Sequence, residues 1–218
     1  MIFVNSLITG FLLSIYLSVT CLDSFLQGKN YITDDFSIVN YLILYSPIYV
    51  IAFGRLENML NYAKMQLLRY KKISKWWIAE QYKNIVYIFL CYYSMSIFLL
   101  IKNQKQFNYK VCVEILLFIL HSITIYSIGA FLRILSSSMK ISLLSLIIVE
   151  TLEMKLLILG IGAPRIITAS WGIYNYIDRI YGDGGFSLAI VLTSQIICTG
   201  FIVWIFPCIA KQQFLGRI

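Results

Sequence analysis

Six long apolar runs, separated by more polar segments, constrain this chain more than any other feature of its sequence. Each run is about 17 to 24 residues long, the length that an α-helix needs to cross the hydrocarbon core of a bilayer. The runs cover residues 2–22, 36–53, 85–101, 111–132, 141–159 and 186–209. This pattern predicts an all-α membrane protein with six transmembrane helices in a single transmembrane domain, residues 1–218.

The composition excludes the soluble alternatives. Hydrophobic residues make up 60% of the 218 residues and charged residues 13%, whereas soluble domains have about 45–50% and about 25%. A soluble core cannot hide so many apolar side chains. A cytoplasmic enzyme and a nucleic-acid-binding protein are therefore excluded. The net charge of +8 is typical of a membrane protein with basic cytoplasmic loops.

The distribution of Lys and Arg favours cytoplasmic N- and C-termini. With the N-terminus inside, most of the basic residues fall in cytoplasmic segments, above all in residues 54–83, as the positive-inside rule requires. The loop with Lys102, Lys105 and Lys110 runs against this orientation. We therefore expect a multi-pass protein in the lipid bilayer, with both termini in the cytoplasm.

The long cytoplasmic segment between the second and third runs, residues 54–77, is predicted to be one amphipathic helix, because its apolar residues recur at helical spacing. The apolar face consists of Leu56, Met59, Leu60, Ala63 and Leu67, and a basic cluster with Arg69, Lys71 and Lys72 follows. Trp76 and Trp77 close the segment and suit the headgroup level. The helix either lies on anionic lipid or docks a soluble partner at the inner face of the membrane.

A second unusual segment, residues 160–185, is neither apolar enough to cross the membrane nor polar enough to be a simple loop. Gly and Pro residues, including Pro164, break the helix at its start. Trp171 and Tyr174 suit a membrane–water boundary. The segment fits a pair of short re-entrant helices in the outer leaflet or, alternatively, an ordered extracellular loop.

Ionisable residues inside the apolar runs are further candidates. Glu150 and Glu153 are neighbours on one face of the fifth run, and His121 lies in the middle of the fourth. A charge at mid-membrane costs about 2.5–3.5 kcal/mol, so it normally faces other helices, a cavity or a partner charge. The two glutamates either line a substrate path or a subunit interface, or pair with Lys155 or Arg165. His121 is more typical of a hydrogen-bonded packing residue than of a proton relay.

Several chemical motifs are missing from the sequence. It has no GxxxxGK[ST] motif for ATP, no HExxH or GxSxG motif, and one histidine, which cannot build a multi-histidine metal centre. The five cysteines have no CxxC spacing, so they indicate neither a zinc site nor a disulfide framework. We therefore expect a chain that is not an enzyme and binds no cofactor or metal. Pro47 should kink the second span.

This layout resembles the permease subunits of type-two ATP-binding-cassette exporters. It is most similar to the small permeases that low-GC Gram-positive bacteria encode with bacteriocin or peptide export and self-immunity genes. The local similarity is carried by the stretch from Leu68 to Trp77, a basic run that ends in aromatic residues. The resemblance implies a bacterial plasma-membrane exporter that moves a peptide-like or other amphipathic substrate by alternating access. Its partners would be a dimeric cytoplasmic P-loop ATPase, which binds ATP and Mg, and a second permease, identical or different.

The resemblance also assigns roles to residues. In such exporters the connection between spans two and three carries the coupling helix, which maps here onto residues 55–75. The ATPase-coupling residues would be Leu60, Lys64, Leu67, Leu68, Arg69, Tyr70, Lys71 and Lys72. The re-entrant region would include Pro164, Arg165, Trp171 and Tyr174.

The chain departs from the family in two respects and leaves one functional alternative open. It has almost no residues before the first span, where such permeases have an amphipathic interface helix, and it is short for the family. The alternative is a stand-alone membrane immunity or regulatory protein that binds a toxin or a sensor without transport.

Overall fold

The computed structural model describes residues 2–19, 35–63, 72–102, 109–136, 138–161, 163–173, 177 and 184–215. These residues are almost entirely helical, apart from turns and one isolated β-bridge between Ile177 and Phe186. The α-helices are α1 (Ile2–Val19), α2 (Asp35–Pro47), α3 (Phe53–Asn61), α4 (Ile73–Lys102), α5 (Tyr109–Ser136), α6 (Met139–Ile158) and α7 (Leu188–Leu215). A π-helical turn, Ile48–Ala52, joins α2 to α3, and a 3₁₀ helix, Thr168–Gly172, lies between α6 and α7.

Three helices in the described part of the chain are long and apolar enough to cross a membrane: α4, α5 and the stretch Leu188–Ile205 of α7. Helix α1 contributes a shorter apolar stretch, Phe3–Leu17. The fold is therefore that of a helical membrane protein, as the apolar runs predicted.

Helix α5 is the centre of the bundle. It packs against α4, α6, α7 and the 3₁₀ helix, while α1 packs mainly along α4. In the most apolar stretch of α5, 72% of the residues are buried inside the protein, against 11% in α7. Most of the apolar surface of α7 is therefore exposed on the outside of the protein, whereas most side chains of α5 are enclosed by other helices.

The distortion expected at Pro47 is present. Pro47 is the last residue of α2, and the backbone continues as the π-helical turn before α3 begins at Phe53. Proline lacks the backbone N–H that the regular hydrogen-bond ladder needs, so the ladder changes its spacing at this position. Helices α2 and α3 thus form one continuous but distorted helical segment.

The prediction of a single helix through residues 54–77 was wrong. Helix α3 ends at Asn61, where Tyr62 leaves the helical conformation, and α4 begins at Ile73. On one straight helix, at 3.6 residues per turn, Trp76 would lie about 200° around the axis from Leu56. Leu56 and Trp76 are both fully buried, and the break between the two helices allows this. Trp77 is likewise enclosed within the protein.

The apolar face expected on this segment is confirmed within the described residues. Leu56, Met59 and Ala63 are buried, and Leu60 is partly buried against the same core. At least this first part of the segment therefore packs its apolar face against the protein's own helices.

Candidate functional site

A buried hydrogen-bonded network joins three helices near the middle of the bundle. Glu150 of α6 accepts a short hydrogen bond from the hydroxyl of Tyr41 on α2. The same hydroxyl lies 2.9 Å from Nε2 of His121 on α5, and that nitrogen is 3.8 Å from Oε2 of Glu150. All three side chains are buried. The network therefore satisfies part of the polar surface that a buried carboxyl group would otherwise leave without partners.

The 3₁₀ helix is seated directly on this network. The ring of His121 meets the ring of Tyr45 edge-on, with centroids 5.1 Å apart. A Cβ atom placed on Gly172, at the end of the 3₁₀ helix, would lie 2.2 Å from the hydroxyl oxygen of Tyr45 and 2.9 Å from Cδ2 of His121. Only a residue without a side chain allows this approach, so Gly172 fixes how closely the segment packs on His121.

Glu153 caps the 3₁₀ helix. Its Oε2 accepts hydrogen bonds from Oγ1 of Thr168, at 2.6 Å, and from the backbone nitrogen of Ala169, at 2.7 Å. Backbone N–H groups at the start of a helix lack internal partners, and a carboxylate suits them. In the described part of the chain Glu153 makes these bonds and forms no ion pair with Lys155 or Arg165. The two neighbouring glutamates thus bond to different elements: Glu150 to α2, and Glu153 to the 3₁₀ helix.

Glu150 and His121 also form part of the wall of a cavity of about 360 Å³. The cavity lies between α5, α6, α7 and the 3₁₀ helix. Its other lining residues are Thr124, Ile125, Ile128, Thr168, Trp171, Ser194, Ile197 and Cys198. This volume falls in the range of about 300–1,000 Å³ that is typical of small-molecule sites, and the wall combines apolar side chains with one carboxyl group.

A second polar cluster fastens α3 to α4 and α5. Nε of Arg55 donates to Oδ1 of Asn84 at 3.2 Å, and the guanidinium group lies 4.0 Å from the centroid of the Tyr87 ring. Glu57 accepts from Nε of Arg133 on α5 at 3.0 Å. A displacement of α3 would therefore pull on the two central helices.

The candidate coupling residues are only partly described. Leu60 lies half-buried on α3, and Lys72 is exposed just before α4. The others lie outside the described residues: Lys64, Leu67, Leu68, Arg69, Tyr70 and Lys71. The coupling assignment therefore stays a prediction.

The candidate re-entrant residues have distinct surroundings. Pro164 is buried, and its carbonyl accepts from Oγ of Ser170 at 2.6 Å. Arg165 is exposed, Trp171 lines the cavity, and Tyr174 lies outside the described residues. Residues 163–173 form a turn and the 3₁₀ helix, in which the backbone N–H of Ala169 bonds to Glu153. Most of residues 174–183 lie outside the described residues, so the pair of re-entrant helices stays a prediction.

Tyr41 is the functional candidate that sequence reasoning missed. A usable signal is present, since Tyr41, Tyr45 and Tyr49 follow one another at four-residue spacing and therefore share one face of a helix. All three are buried. A polar stripe of this kind on an apolar helix indicates the face that turns toward other helices.

No known protein-family profile, curated protein or solved structure matches this chain. Among the described residues, no group of three or more His, Cys, Asp or Glu side chains is arranged to hold a metal ion. The class that the fold defines is that of a helical membrane protein.

Proposed function

We propose that this chain is a six-span permease subunit of an ATP-driven exporter in a bacterial plasma membrane, with both termini in the cytoplasm. It moves a peptide or another amphipathic substrate, and a separate ATPase supplies the energy. The observation that carries the proposal is the cavity lined by Glu150 and His121 among apolar helices. Ionisable groups in such positions are costly and characteristically belong to substrate or ion paths.

The described contacts support a mechanical link between the cytoplasmic side and the cavity. Tyr41 and Arg55 belong to the continuous segment from α2 to α3 and are separated by about 21 Å along a helix axis. Tyr41 bonds to Glu150 at the cavity, while Arg55 bonds to Asn84 on α4. A force that an ATPase applies near α3 would therefore shift the Tyr41–Glu150 contact and change access to the cavity, which is an alternating-access mechanism.

The size of the cavity limits what it holds at one time. A volume of about 360 Å³ accommodates a side chain or a small amphipathic molecule rather than a folded peptide. A peptide would therefore place one side chain at a time in the cavity. Alternatively, a second permease, identical or different, would complete a larger path.

Reversing the charge of the basic cluster is expected to uncouple the chain from its ATPase. The triple variant carries Arg69→Glu, Lys71→Glu and Lys72→Glu. If these basic residues dock on an acidic surface of the ATPase, the new carboxylates would face like charges, which costs several kcal/mol. Co-purified ATPase activity and substrate export should each fall by more than about tenfold. Both are measured on tagged protein from its native membrane.

Lys140→Glu is the matched control, because Lys140 is an exposed basic residue on the same predicted side of the membrane. It should leave both activities unchanged. Resistance to a toxic peptide that persists without any associated ATPase would favour the stand-alone immunity protein instead.

The six-span topology is tested with alkaline phosphatase fusions, which are active only outside the cytoplasm. Fusions after residues 30, 105 and 175 should be active, and those after residues 72 and 137 inactive. The pair at residues 137 and 175 is decisive, because α6 lies between them. Equal activity at both positions would mean that α6 does not cross the membrane and would contradict the proposal.

A further inference from the structure

The carboxyl group of Glu150 differs from those of the other described glutamates because neither a described Lys or Arg nor the start of a helix accompanies it. The partners of the others are Arg133 for Glu57, Lys83 for Glu80, Lys110 for Glu114 and the 3₁₀ helix for Glu153. Glu150 is 3% exposed, and its described partners are the Tyr41 hydroxyl and, at 3.8 Å, Nε2 of His121. A buried carboxylate needs a compensating charge.

His121 does not supply that charge. The Tyr41 hydroxyl has one hydrogen, which it donates to Glu150, so Nε2 of His121 is the donor in the 2.9 Å contact with the same hydroxyl. Nδ1 of His121 is buried and has no hydrogen-bond partner among the described residues. A second proton on Nδ1 would be a buried charged donor without an acceptor, which is unfavourable. Among the described residues, Glu150 therefore has no Lys or Arg partner, and its closest basic group is an imidazole without an acceptor at Nδ1.

The remaining walls of the cavity suit an apolar or aromatic body. Trp171 forms one wall, while Ile125, Ile128 and Ile197 line others. The side-chain amide of Gln195 on α7 donates to the Trp171 carbonyl at 3.3 Å and so holds Trp171 in the wall of the cavity.

We infer that this cavity binds an organic cation, with an ammonium or guanidinium group opposite Glu150 and an apolar or aromatic body against the isoleucines. Trp171 also supplies an aromatic ring to the wall, and aromatic rings attract cations. The inference deepens the proposed function by naming a substrate class, and its meaning for transport rests on that function. Binding at the cavity can be measured without transport.

The experiment measures binding of tritiated 2-phenylethylammonium to the purified full chain in lipid nanodiscs. The cation has an aromatic body of side-chain size, and 2-phenylethanol is its uncharged counterpart. We expect saturable binding of the cation, against which the alcohol competes at least about tenfold more weakly, because the charge-assisted contact with Glu150 is lost. Equal competition by the two compounds, or no saturable binding, would overturn the inference.

Variants separate the cavity from other acidic surfaces. Glu150→Gln should weaken binding of the cation by at least about tenfold, while Glu80→Gln, which alters a glutamate paired with Lys83 outside the cavity, should not. Ile197→Trp keeps the charge of Glu150 and fills the cavity from an exposed position, so it should also abolish binding. Unchanged binding in either cavity variant would overturn the inference.

The outcome is independent of the proposed function. Saturable, Glu150-dependent binding in a chain that exports nothing would refute the permease and keep the site. Export that continues in Glu150→Gln and Ile197→Trp would keep the permease and place its substrate elsewhere.

Discussion

Gly172→Ala is expected to push the 3₁₀ helix off His121 and to weaken binding in the cavity. The new Cβ would lie 2.2 Å from the hydroxyl oxygen of Tyr45 and within 3.0 Å of two ring atoms of His121. Both rings are buried and cannot swing aside, so the 3₁₀ helix itself must move. Overpacking of this kind costs about 1–3 kcal/mol. The apparent melting temperature and the affinity for 2-phenylethylammonium should both fall.

Removing the hydroxyl of Tyr45 tests whether steric conflict explains the effect of Gly172→Ala. Its hydroxyl is buried and has no hydrogen-bond partner among the described residues, so Tyr45→Phe alone should cost little. In the double variant Gly172→Ala with Tyr45→Phe, the atom closest to the new Cβ is gone, and part of the lost stability should return. Gly200→Ala is the matched control, since nothing lies within 4 Å of a Cβ at that position. Losses that simply add in the double variant would contradict steric conflict between these two positions.

The positions of the central helices could be predicted from the sequence because burial in a bilayer is dictated locally. The fourth apolar run, 111–132, corresponds to α5 at Tyr109–Ser136, and the fifth, 141–159, corresponds to α6 at Met139–Ile158. A continuous apolar run can satisfy its own backbone only as a helix in lipid. Each run therefore predicts its element without knowledge of its neighbours.

The candidate site could be predicted only in part. Glu150 stands out because a carboxyl group within an apolar run needs an explanation. Its donor Tyr41, however, lies 109 positions away in sequence, and nothing local to either residue determines that α2 and α6 become neighbours. The partner of Glu150 depends on how the helices pack, and the spacing of apolar residues in the sequence does not predict that packing.

The break between α3 and α4 escaped prediction for a related reason. The chain from Phe53 to Trp77 contains no proline, and its only glycine, Gly54, lies at the start. Its helical spacing is also regular, so local signals favour continuation. Tertiary packing decides instead, because Trp76 is enclosed on a face that a straight helix would turn away from Leu56.

Gly129→Ala is expected to weaken the packing of α3 on α5 and, under the proposed function, to separate ATP hydrolysis from transport. A Cβ on Gly129 of α5 would lie 2.0 Å from Cζ and 2.4 Å from Cε1 of Phe53, the first residue of α3. Phe53 is 1% exposed and packs against the rings of Tyr49 and Tyr126. The ring therefore cannot rotate away, and α3 must shift on α5.

We expect Gly129→Ala to lower the apparent melting temperature through an overpacking cost of about 1–3 kcal/mol. Under the proposed function, export per ATP hydrolysed should fall, because the displacement of α3 strains the hydrogen bond that Arg133 donates to Glu57. Adding Phe53→Leu removes the ring atoms that the new Cβ would strike, so the double variant should recover stability by a coupling energy of about 0.5–3 kcal/mol. Gly54→Ala, one residue from Phe53 with nothing within 4 Å of its Cβ, should leave both measurements unchanged. If Gly129→Ala and Gly54→Ala behaved alike, close packing of Phe53 on α5 would not be what joins α3 to the helices that enclose the cavity.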